Sequence, residues 1–251
     1  PGQDAELALG FLFAEGIIAG AGDVGSAAHC GRPGQEGYGN VIDVRSAGGA
    51  PIDAERVLEG RRWVATTSAC GICGRRSIDQ LLARCGRIDG TTRLSQRAVL
   101  ASVERLASAQ PIFARTGGLH AAALFAEDGT LLASAEDVGR HNAVDKAVGA
   151  LLRRGLVGKA GTGGVRLGLL AVSGRASFEI VQKAAAAGVP VVASVSAPSS
   201  LAVDLASQAG IGLAGFVRGG RLNVYANPWR IEGAEAGPPE ARAPRPPGSA
   251  G

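Results

Sequence analysis

The chain has 251 residues, of which 46% are apolar, and carries a formal net charge of +4 at neutral pH. This length and apolar fraction allow a sizeable core, which excludes a wholly disordered protein. Because the basic residues are scattered rather than grouped, the sequence does not indicate duplex nucleic acid, and we expect no nucleic-acid partner. A small anionic ligand such as a nucleotide suits the same charge balance.

Four cysteines, at positions 30, 70, 73 and 85, are too few for a disulfide scaffold in a chain of this length. We therefore expect a reducing compartment, the cytoplasm. We expect no membrane partner either, because no apolar run approaches the roughly 18 residues of a membrane span and no secretory leader is visible. The chain begins at Pro1 rather than at a methionine, which leaves open whether an N-terminal segment is missing.

The first third of the chain shows few regular elements. Leu7, Phe11 and Ala14 recur at helical spacing and predict a helix over residues 4–18. Residues 21–50 are rich in glycine. The remaining elements that we expect before residue 110 are a strand over 40–45, a short helix or strand over 53–59, a strand over 62–66, a helix over 77–85 capped by Ser77 with Cys85 packed on it, and a helix over 95–108.

The pattern changes after residue 118. Two short apolar runs flank Asp128-Gly129, which predicts a β-hairpin over 119–134, and an amphipathic helix follows over 139–154. Strands and helices then alternate over 167–172, 177–187, 189–195, 199–208 and 211–217, with a last strand over 221–225. This order predicts a largely parallel sheet with helices on both faces.

Two loops after the predicted parallel strands carry polar groups. In sheets of this kind, ligands bind beyond the carboxyl ends of the strands, where the next helices begin. The loop Ser173-Gly174-Arg175-Ala176-Ser177 offers a glycine for close approach, a guanidinium and free helix N–H groups, and 196–200 again places hydroxyls before a helix. Ordinary N-caps and turns explain either loop alone, but together they favour a binding cleft. Neither loop is a Walker sequence or a dinucleotide fingerprint.

Two further segments allow a functional and a structural interpretation. Arg140 and His141 begin a predicted helix, and Asp145 lies one turn further on, where its carboxylate could orient the imidazole. A structural hydrogen bond would explain His141 equally well. In residues 216–221, Gly219-Gly220 is typical of a hairpin turn, yet Arg218 and Arg221 on either side would aim donors at one place.

Cys70 and Cys73 form a Cys-x-x-Cys pair in which each thiol is followed by glycine, and Arg75 and Arg76 follow directly. The glycines predict a mobile, accessible loop over 67–76, and the two guanidinium groups favour thiolate over thiol. The pair is therefore a candidate for sulfur chemistry.

The thiol pair allows other interpretations. A structural zinc site needs four ligands, and only His29-Cys30 is left to complete one. In a thioredoxin-like disulfide exchanger, the Cys-x-x-Cys pair would lie at the start of a helix, soon after the first strand. A zinc deaminase is rejected because no glutamate follows His120 at the required spacing and the thiol pair precedes this histidine. A sulfur-carrying thiol fits the loop, although the motif alone does not single it out.

Several motifs, in the same order, resemble the FdhD family, the sulfur carriers needed to make active formate dehydrogenase. They lie at residues 68–74, 115–120, 136–146, 173–177 and 216–225, and the likeness runs from about Pro1 to Ile231. The resemblance implies an α/β fold similar to cytidine deaminase without its zinc chemistry, with three layers, a mixed sheet flanked by helices and a smaller N-terminal region. We accordingly assign residues 1–66 to this N-terminal region, 67–76 to a mobile thiol loop, 77–231 to an α/β domain and 232–251 to a disordered tail.

The resemblance also implies a mechanism. A cysteine desulfurase would hand a sulfane sulfur to Cys70 as a persulfide, Cys73 would assist or relay, and the sulfur would pass to the molybdenum or tungsten of a bis(molybdopterin guanine dinucleotide) cofactor. This cofactor is a bound substrate on its way to formate dehydrogenase, and we expect no permanent metal. A non-covalent chaperone for the cofactor is the alternative function, and a homodimer is expected.

The expected cofactor-binding residues come from two sources. The resemblance assigns the guanine nucleotide ends to Phe216, Val217, Arg218, Gly219, Gly220 and Arg221. Our interpretation of the loops and helix starts adds Ser173, Arg175, Arg140 and His141.

Overall fold

The N-terminal region of the fold consists of one helix and a small two-stranded sheet. The computed structural model describes residues 2–31, 34, 38–49, 78–79, 81–83, 85–158 and 165–233. Helix α1 spans Asp4–Ala14, and strands β1 (Val24–His29) and β2 (Ile42–Ser46) pair antiparallel. Helix α1 is shorter than predicted because Gly16 takes a left-handed conformation (φ 72°) and the chain folds back, with the N–H of Ile17 donating to the carbonyl of Leu12.

A six-stranded mixed sheet forms the centre of the molecule. Its strands are β4 (His120–Ala126), β5 (Leu131–Asp137), β6 (Leu167–Val172), β7 (Val191–Ser194), β8 (Gly212–Arg218) and β9 (Arg221–Ala226). Their spatial order is β5-β4-β6-β7-β8-β9. Strands β6, β7 and β8 are parallel to one another, whereas β4 is antiparallel to both of its neighbours and β9 is antiparallel to β8. Strands β5, β6, β7 and β8 therefore all run in the same direction. A separate short pair joins β3 (Leu94–Ser95) to β10 (Ile231–Glu232).

Helices cover both faces of this sheet. They are α2 (Gln96–Ser108), the short α3 (Pro111–Thr116), α4 (Arg140–Arg153), α5 (Phe178–Ala186) and α6 (Ser200–Ala209). On one face Val99, Val103 and Leu106 of α2 pack against Phe125 and its neighbours in the sheet. On the other face α4, α5 and α6 build a larger apolar core, which α1 also joins. The expected three-layer mixed α/β architecture is confirmed.

The local sequence explains where these elements begin and turn. Ser95 and Ser199 cap α2 and α6, since each hydroxyl accepts a hydrogen bond from the backbone N–H three residues later, at 3.2 Å. Gly219 and Gly220 both have positive φ, 58° and 72°, which is the two-residue turn that suits a twisted β8–β9 hairpin. The predicted hairpin over 119–134 and the alternating region after it are confirmed as well.

Some elements of the structure were not predicted, and some predictions fall on residues that the structure does not describe. Strand β1 and helix α3 were not predicted from the sequence. Residues 53–59, 62–66 and 67–76, Ser77 and residues 234–251 lie outside the described residues, so the thiol loop, the tail and the proposed domain limits stay predictions. Cys85 is half-buried and packs against the larger core, as expected. Within the described ranges, no helix is long and apolar enough to cross a bilayer.

Helices α1 and α4 approach each other through two glycines. A Cβ atom on Gly149 of α4 would collide with the backbone carbonyl of Glu6, and one on Gly10 of α1 would collide with that of Asp145. The backbones are therefore in direct contact at both positions, which only glycine permits. This contact ties the N-terminal helix to the α/β core.

We expect Gly149→Ala to lower the free energy of unfolding by about 1–3 kcal/mol, because the helices must separate to admit the methyl group. At an exposed helical position without a close neighbour, the same change would instead stabilise the folded protein by roughly 1 kcal/mol. Urea denaturation measures the difference. Gly22→Ala is the control, since its Cβ would meet nothing within 4 Å, and it should change stability by less than about 0.5 kcal/mol. An unchanged or more stable Gly149→Ala protein would contradict the proposed contact.

Candidate functional site

One edge of the sheet gathers the polar loops. Because β5, β6, β7 and β8 run in the same direction, their carboxyl ends lie along this edge, and the loop Ser173–Ser177, the residues after β7 and the start of α4 all emerge there. Strand β4 begins at the same edge with His120, which pairs with Asp137 at the end of β5. Ligands in α/β sheets bind at such an edge, so it is the candidate site.

The buried hydroxyl of Ser194 links two of the loops. Its Oγ lies 2.6 Å from the carbonyl oxygen of Gly174 and 3.0 Å from that of Ser196, and it accepts a hydrogen bond from the backbone N–H of Ser196 at 3.2 Å. A hydroxyl has one hydrogen, so the shorter contact, to Gly174, is the donated bond. The carbonyl of Ser196 in turn accepts from the N–H of Phe216. These contacts join the β6, β7 and β8 ends into one unit.

The start of α4 is fixed by Asp137, which is buried at the end of β5. Its Oδ1 accepts hydrogen bonds from the N–H of Gly139 at 2.8 Å and from Nδ2 of Asn142 at 3.0 Å, and its Oδ2 lies 2.6 Å from Nζ of Lys146. Burial alone would raise the pKa of Asp137, but the hydrogen bonds from Lys146, Gly139 and Asn142 outweigh it and leave the pKa below its ordinary value. The helix start therefore carries an ionised, fully bonded carboxylate.

His141 contacts the beginning of α5. Its Nε2 lies 2.9 Å from Oγ of Ser177 and 2.7 Å from Oε2 of Glu179. The hydrogen bond from His141 holds the pKa of Glu179 below its ordinary value, against the opposing effect of burial. Serine and carboxylate share one ring nitrogen, whereas a nucleophilic triad places them on opposite nitrogens. The arrangement therefore cross-links two helix starts and is not a serine-hydrolase triad.

Asp145 has a different partner from the one expected from sequence spacing. Instead of orienting His141, its carboxylate accepts two hydrogen bonds from Nζ of Lys183, at 2.7 and 2.9 Å, and both side chains are buried. Burial raises the pKa of Asp145 to about 6, although the charge of Lys183 acts in the opposite direction. This pair joins α4 to α5 behind the candidate site.

Arg140 lies on the same side of the site as the Ser173–Ser177 loop. A Cβ on Gly174 would lie 3.2 Å from Nδ1 of His120 and 3.6 Å from Cβ of Arg140, so the loop backbone packs closely against both. The Nε of Arg140 is buried and has no hydrogen-bond partner among the described residues. An unpaired guanidinium donor at a helix start suits an anionic ligand such as a phosphate.

The other predicted binding residues lie on the Ser173–Ser177 loop and on the β8–β9 hairpin. The hydroxyl of Ser173 accepts from the N–H of Ala121 at 2.9 Å, and Arg175 is exposed on the loop. Phe216 is exposed and has a left-handed backbone (φ 52°), and the guanidinium of Arg218 lies 5.9 Å from the centre of its ring. The side chain of Val217 is buried on the α2 face of the sheet.

The β8–β9 hairpin and the starts of α4 and α5 therefore lie on two sides of the candidate site at the sheet edge. Arg218 and Arg221 are backbone partners across the Gly219-Gly220 turn, which confirms the predicted hairpin turn; that their guanidinium groups point to one place stays a prediction. The hairpin reaches the loops through Ser196, while His141 contacts Ser177 directly and Arg140 lies beside Gly174.

The sequence did not point to two residues that make hydrogen bonds or ion pairs at the candidate site. Ser194 and Glu179 were not singled out, although Ser194 is a lone hydroxyl at the end of an apolar strand and Glu179 lies in the first turn of a helix. Cys70 and Cys73 lie outside the described residues, so their roles stay predictions. In the portion of the chain that the structure describes, no group of three or more His, Cys, Asp or Glu side chains could hold a metal ion.

The sheet order, the flanking helices and the gathered loops define a three-layer α/β protein that presents its polar loops at one sheet edge. The sequence profile described as the FdhD/NarQ family matches residues 1–232 of this chain. The chain belongs to this family.

Individual relatives agree with the assignment. The chain is 66% identical over 231 residues to the sulfur carrier protein FdhD of Anaeromyxobacter dehalogenans strain 2CP-1 and 48% identical over 236 residues to that of Streptomyces avermitilis; each alignment covers 92% of this chain and 80% of the relative. The crystal structure of a putative formate dehydrogenase accessory protein from Desulfotalea psychrophila is similar, with a TM-score of 0.65, 25% identity, and coverage of 92% of this chain and 80% of that one.

The pH dependence of stability tests the buried carboxyl of Asp145. Because its pKa rises from an ordinary 3.8 to about 6 on folding, the folded state binds its proton more tightly, so the stabilisation is present below pH 3.8 and is lost as the pH rises to about 6. We expect the free energy of unfolding of the wild-type chain, relative to Asp145→Asn, to fall by on the order of 3 kcal/mol across this window.

Urea denaturation at pH 4, 5, 6 and 7 measures this difference. Asp204→Asn, at an exposed position of α6, is the control and should shift stability by less than about 0.5 kcal/mol at each pH. If the free energy of unfolding of the wild-type chain, relative to Asp145→Asn, rose with pH instead, the charge of Lys183 would outweigh burial. That result would refute the raised pKa of Asp145.

A second variant tests the link between the loops. Ser194→Ala leaves the Gly174 carbonyl and the Ser196 N–H without their partner, and we expect a loss of about 1–3 kcal/mol in stability and faster amide exchange over residues 174–177 and 196–199. Ser108→Ala, which removes an exposed hydroxyl bonded to the carbonyl of Glu104, is the control and should leave that exchange unchanged. Unaltered exchange in Ser194→Ala would mean that the loops are held independently of this hydroxyl.

Proposed function

We propose that this protein is a cytoplasmic sulfur carrier. It accepts sulfur as a persulfide on Cys70 from a cysteine desulfurase and delivers it to the metal of a bis(molybdopterin guanine dinucleotide) cofactor destined for formate dehydrogenase. The observation that carries the proposal is the Cys70/Cys73 pair in a chain that aligns over 92% of its length with proteins named sulfur carrier protein FdhD.

The first step is a thiol exchange that needs no external oxidant. The Cys70 thiolate attacks the terminal sulfur of the desulfurase persulfide, the sulfur–sulfur bond of the donor breaks, and the donor cysteine leaves as a thiolate while Cys70 becomes the persulfide. Arg75 and Arg76, which follow the pair in sequence, favour the thiolate form of the attacking group.

The second step must turn sulfane sulfur into a sulfide ligand, which takes two electrons. Cys73 supplies them when its thiolate attacks the inner sulfur of the Cys70 persulfide. Hydrosulfide is then released toward the metal, a Cys70–Cys73 disulfide forms, and a cellular dithiol reductant reopens it. This chemistry gives each thiol of the pair a distinct role.

The sheet edge supports the other half of the proposal, which is retention of the cofactor. Phosphate groups need donors, and the edge offers the unpaired Nε of Arg140, the exposed Arg175 and the hydroxyl-bearing loops at two helix starts. The hairpin residues Phe216–Arg221 would contact a guanine nucleotide end from the other side. Since the cofactor has two such ends, a homodimer with two copies of the edge suits it, and we include the dimer in the proposal.

The proposal predicts a sulfur adduct on one cysteine. After incubation with a cysteine desulfurase and cysteine, mass spectrometry should find an added mass of about 32 Da, one sulfur atom, on the Cys70 peptide of the wild-type protein and none in Cys70→Ala. Cys73→Ala should gain the adduct and keep it, because release requires the second thiol.

Matched controls are available in the same chain. Cys30→Ala, at an exposed thiol, and Cys85→Ala, at a half-buried one, should both still form the adduct on Cys70. Wild-type labelling of Cys70→Ala would refute the covalent mechanism. If a Cys70/Cys73 double variant also restored formate dehydrogenase activity in cells that lack the protein, the non-covalent chaperone function would replace it.

A further inference from the structure

His120 lies at the candidate site, and the two sulfur steps do not use it. It is the first residue of β4, and its side chain lies on the same face of the sheet as that of Ala122, the face that α4, α5 and α6 cover. A Cβ on Gly174 would lie 3.2 Å from Nδ1 of His120 and 3.6 Å from Cβ of Arg140. The imidazole therefore lies between the loop that follows β6 and the start of α4.

The imidazole of His120 is available to a ligand. Within the described residues its side chain makes no hydrogen bond or ion pair. The other two histidines differ, since His29 lies 3.3 Å from a carboxylate oxygen of Asp4 and His141 contacts Glu179. His120 is half-buried, and neither of its ring nitrogens is fully buried. A ring placed in this way can exchange a proton with a ligand held at the sheet edge.

The delivery of sulfide to the metal needs such a proton. When hydrosulfide replaces an oxide ligand of molybdenum or tungsten, the metal–oxygen bond breaks, a metal–sulfur bond forms and the oxide leaves as water. Water takes up two protons. Hydrosulfide supplies one of them together with its sulfur, and the second has to come from an acid at the site. The oxidation state of the metal does not change, so this exchange needs no oxidant or reductant.

Among the described groups at the sheet edge, His120 is the one suited to supply the second proton. The pKa values of Asp137 and Glu179 lie below their ordinary range, because both carboxylates accept hydrogen bonds, so both are ionised. Guanidinium groups such as that of Arg140, and serine hydroxyls, do not release a proton near neutral pH. The Nε2 of His141 is engaged by Glu179. An imidazole without a partner takes up and releases protons in this pH range.

We propose that His120 is the proton donor for the exchange of oxide for sulfide on the metal. Its imidazolium gives a proton to the leaving oxide, hydrosulfide takes the vacated position on the metal, and solvent returns a proton to the ring. The guanidinium of Arg140 beside it adds positive charge that favours the anionic ligand. This inference rests on the proposed function and deepens it, since it assigns a residue to the acceptor side of the sulfur transfer.

The variant His120→Asn tests the proposal, because it removes the proton donor and keeps a polar side chain. In cells that lack the natural protein, formate dehydrogenase should be purified with wild-type amounts of metal and guanine nucleotide. Its activity should be lower by about 100-fold or more, and X-ray absorption spectroscopy should find oxide in place of sulfide on the metal. His29→Asn, at a histidine on β1, is the matched control and should support wild-type activity.

Two measurements on the purified His120→Asn protein separate proton donation from other roles. It should form the Cys70 adduct and bind GDP as the wild-type protein does, which would show that it is folded and that phosphates bind without the imidazole. Weaker GDP binding would make His120 a phosphate ligand and would overturn the proposal. A sulfided, active dehydrogenase, or one that lacks the metal, would overturn it as well.

Failure of the proposed function has different signs. A sulfur adduct in Cys70→Ala would refute the covalent sulfur step, whatever His120→Asn does. Absence of GDP binding by the wild-type protein would overturn the cofactor half of the proposed function and the role of His120 with it.

Discussion

The candidate site depends on the buried ion pair between Asp145 and Lys183. It joins α4 to α5 just behind the point where both helices begin, and the second buried pair, Asp137 with Lys146, ties α4 to the end of β5. Taking such charges out of water costs several kcal/mol per ion, so a buried pair persists only where its geometry is well satisfied. The pair between Asp145 and Lys183 therefore positions the two helices more than it stabilises the fold. The two pairs set the relative place of the helix starts that carry Arg140, His141 and Ser177, and a weakened pair would let those starts move apart.

Strand direction explains why the polar loops meet. Four of the six central strands run in the same direction, so their carboxyl ends share one edge, and the hydroxyl of Ser194 then fixes two of the loops to each other. Phe216 is held there in a left-handed conformation that a bulky residue rarely adopts, which stores strain on the order of 1–3 kcal/mol. The hydrogen bond from its N–H to Ser196 helps to hold it. The backbone that carries this aromatic ring is therefore already in place before a ligand arrives, which reduces the ordering cost of binding.

The sequence predicts the second half of the fold far better than the first, for physical reasons. After residue 118, short apolar runs alternate with amphipathic helices, and each pattern has a distinct period. Strand β1 (Val24–His29) has one β-branched residue among alanine, glycine, serine and histidine and gains its conformation from pairing with β2. The short α3 is wholly exposed. The site shows the same limit. The positions of Ser173 in a loop and of Arg140 at a helix start follow from topology. The partner of Asp145, however, lies 38 residues away on another helix, and helical spacing cannot reveal it.

The chemistry of the sheet edge is consistent with what a sulfur carrier has to do. A persulfide is consumed by soft metal ions and by other thiols, so a resident metal beside it would compete with the cargo for the sulfur. The described edge instead presents guanidinium, hydroxyl and backbone N–H donors, and the imidazole of His141 shares a single nitrogen with Ser177 and Glu179. Under the proposed function, such donors would hold the phosphates of a cofactor that brings its own metal, and they have little affinity for the transferred sulfur. In the proposed function, the edge would retain the acceptor while Cys70 carries out the sulfur transfer, so that separate substitutions would alter binding and transfer.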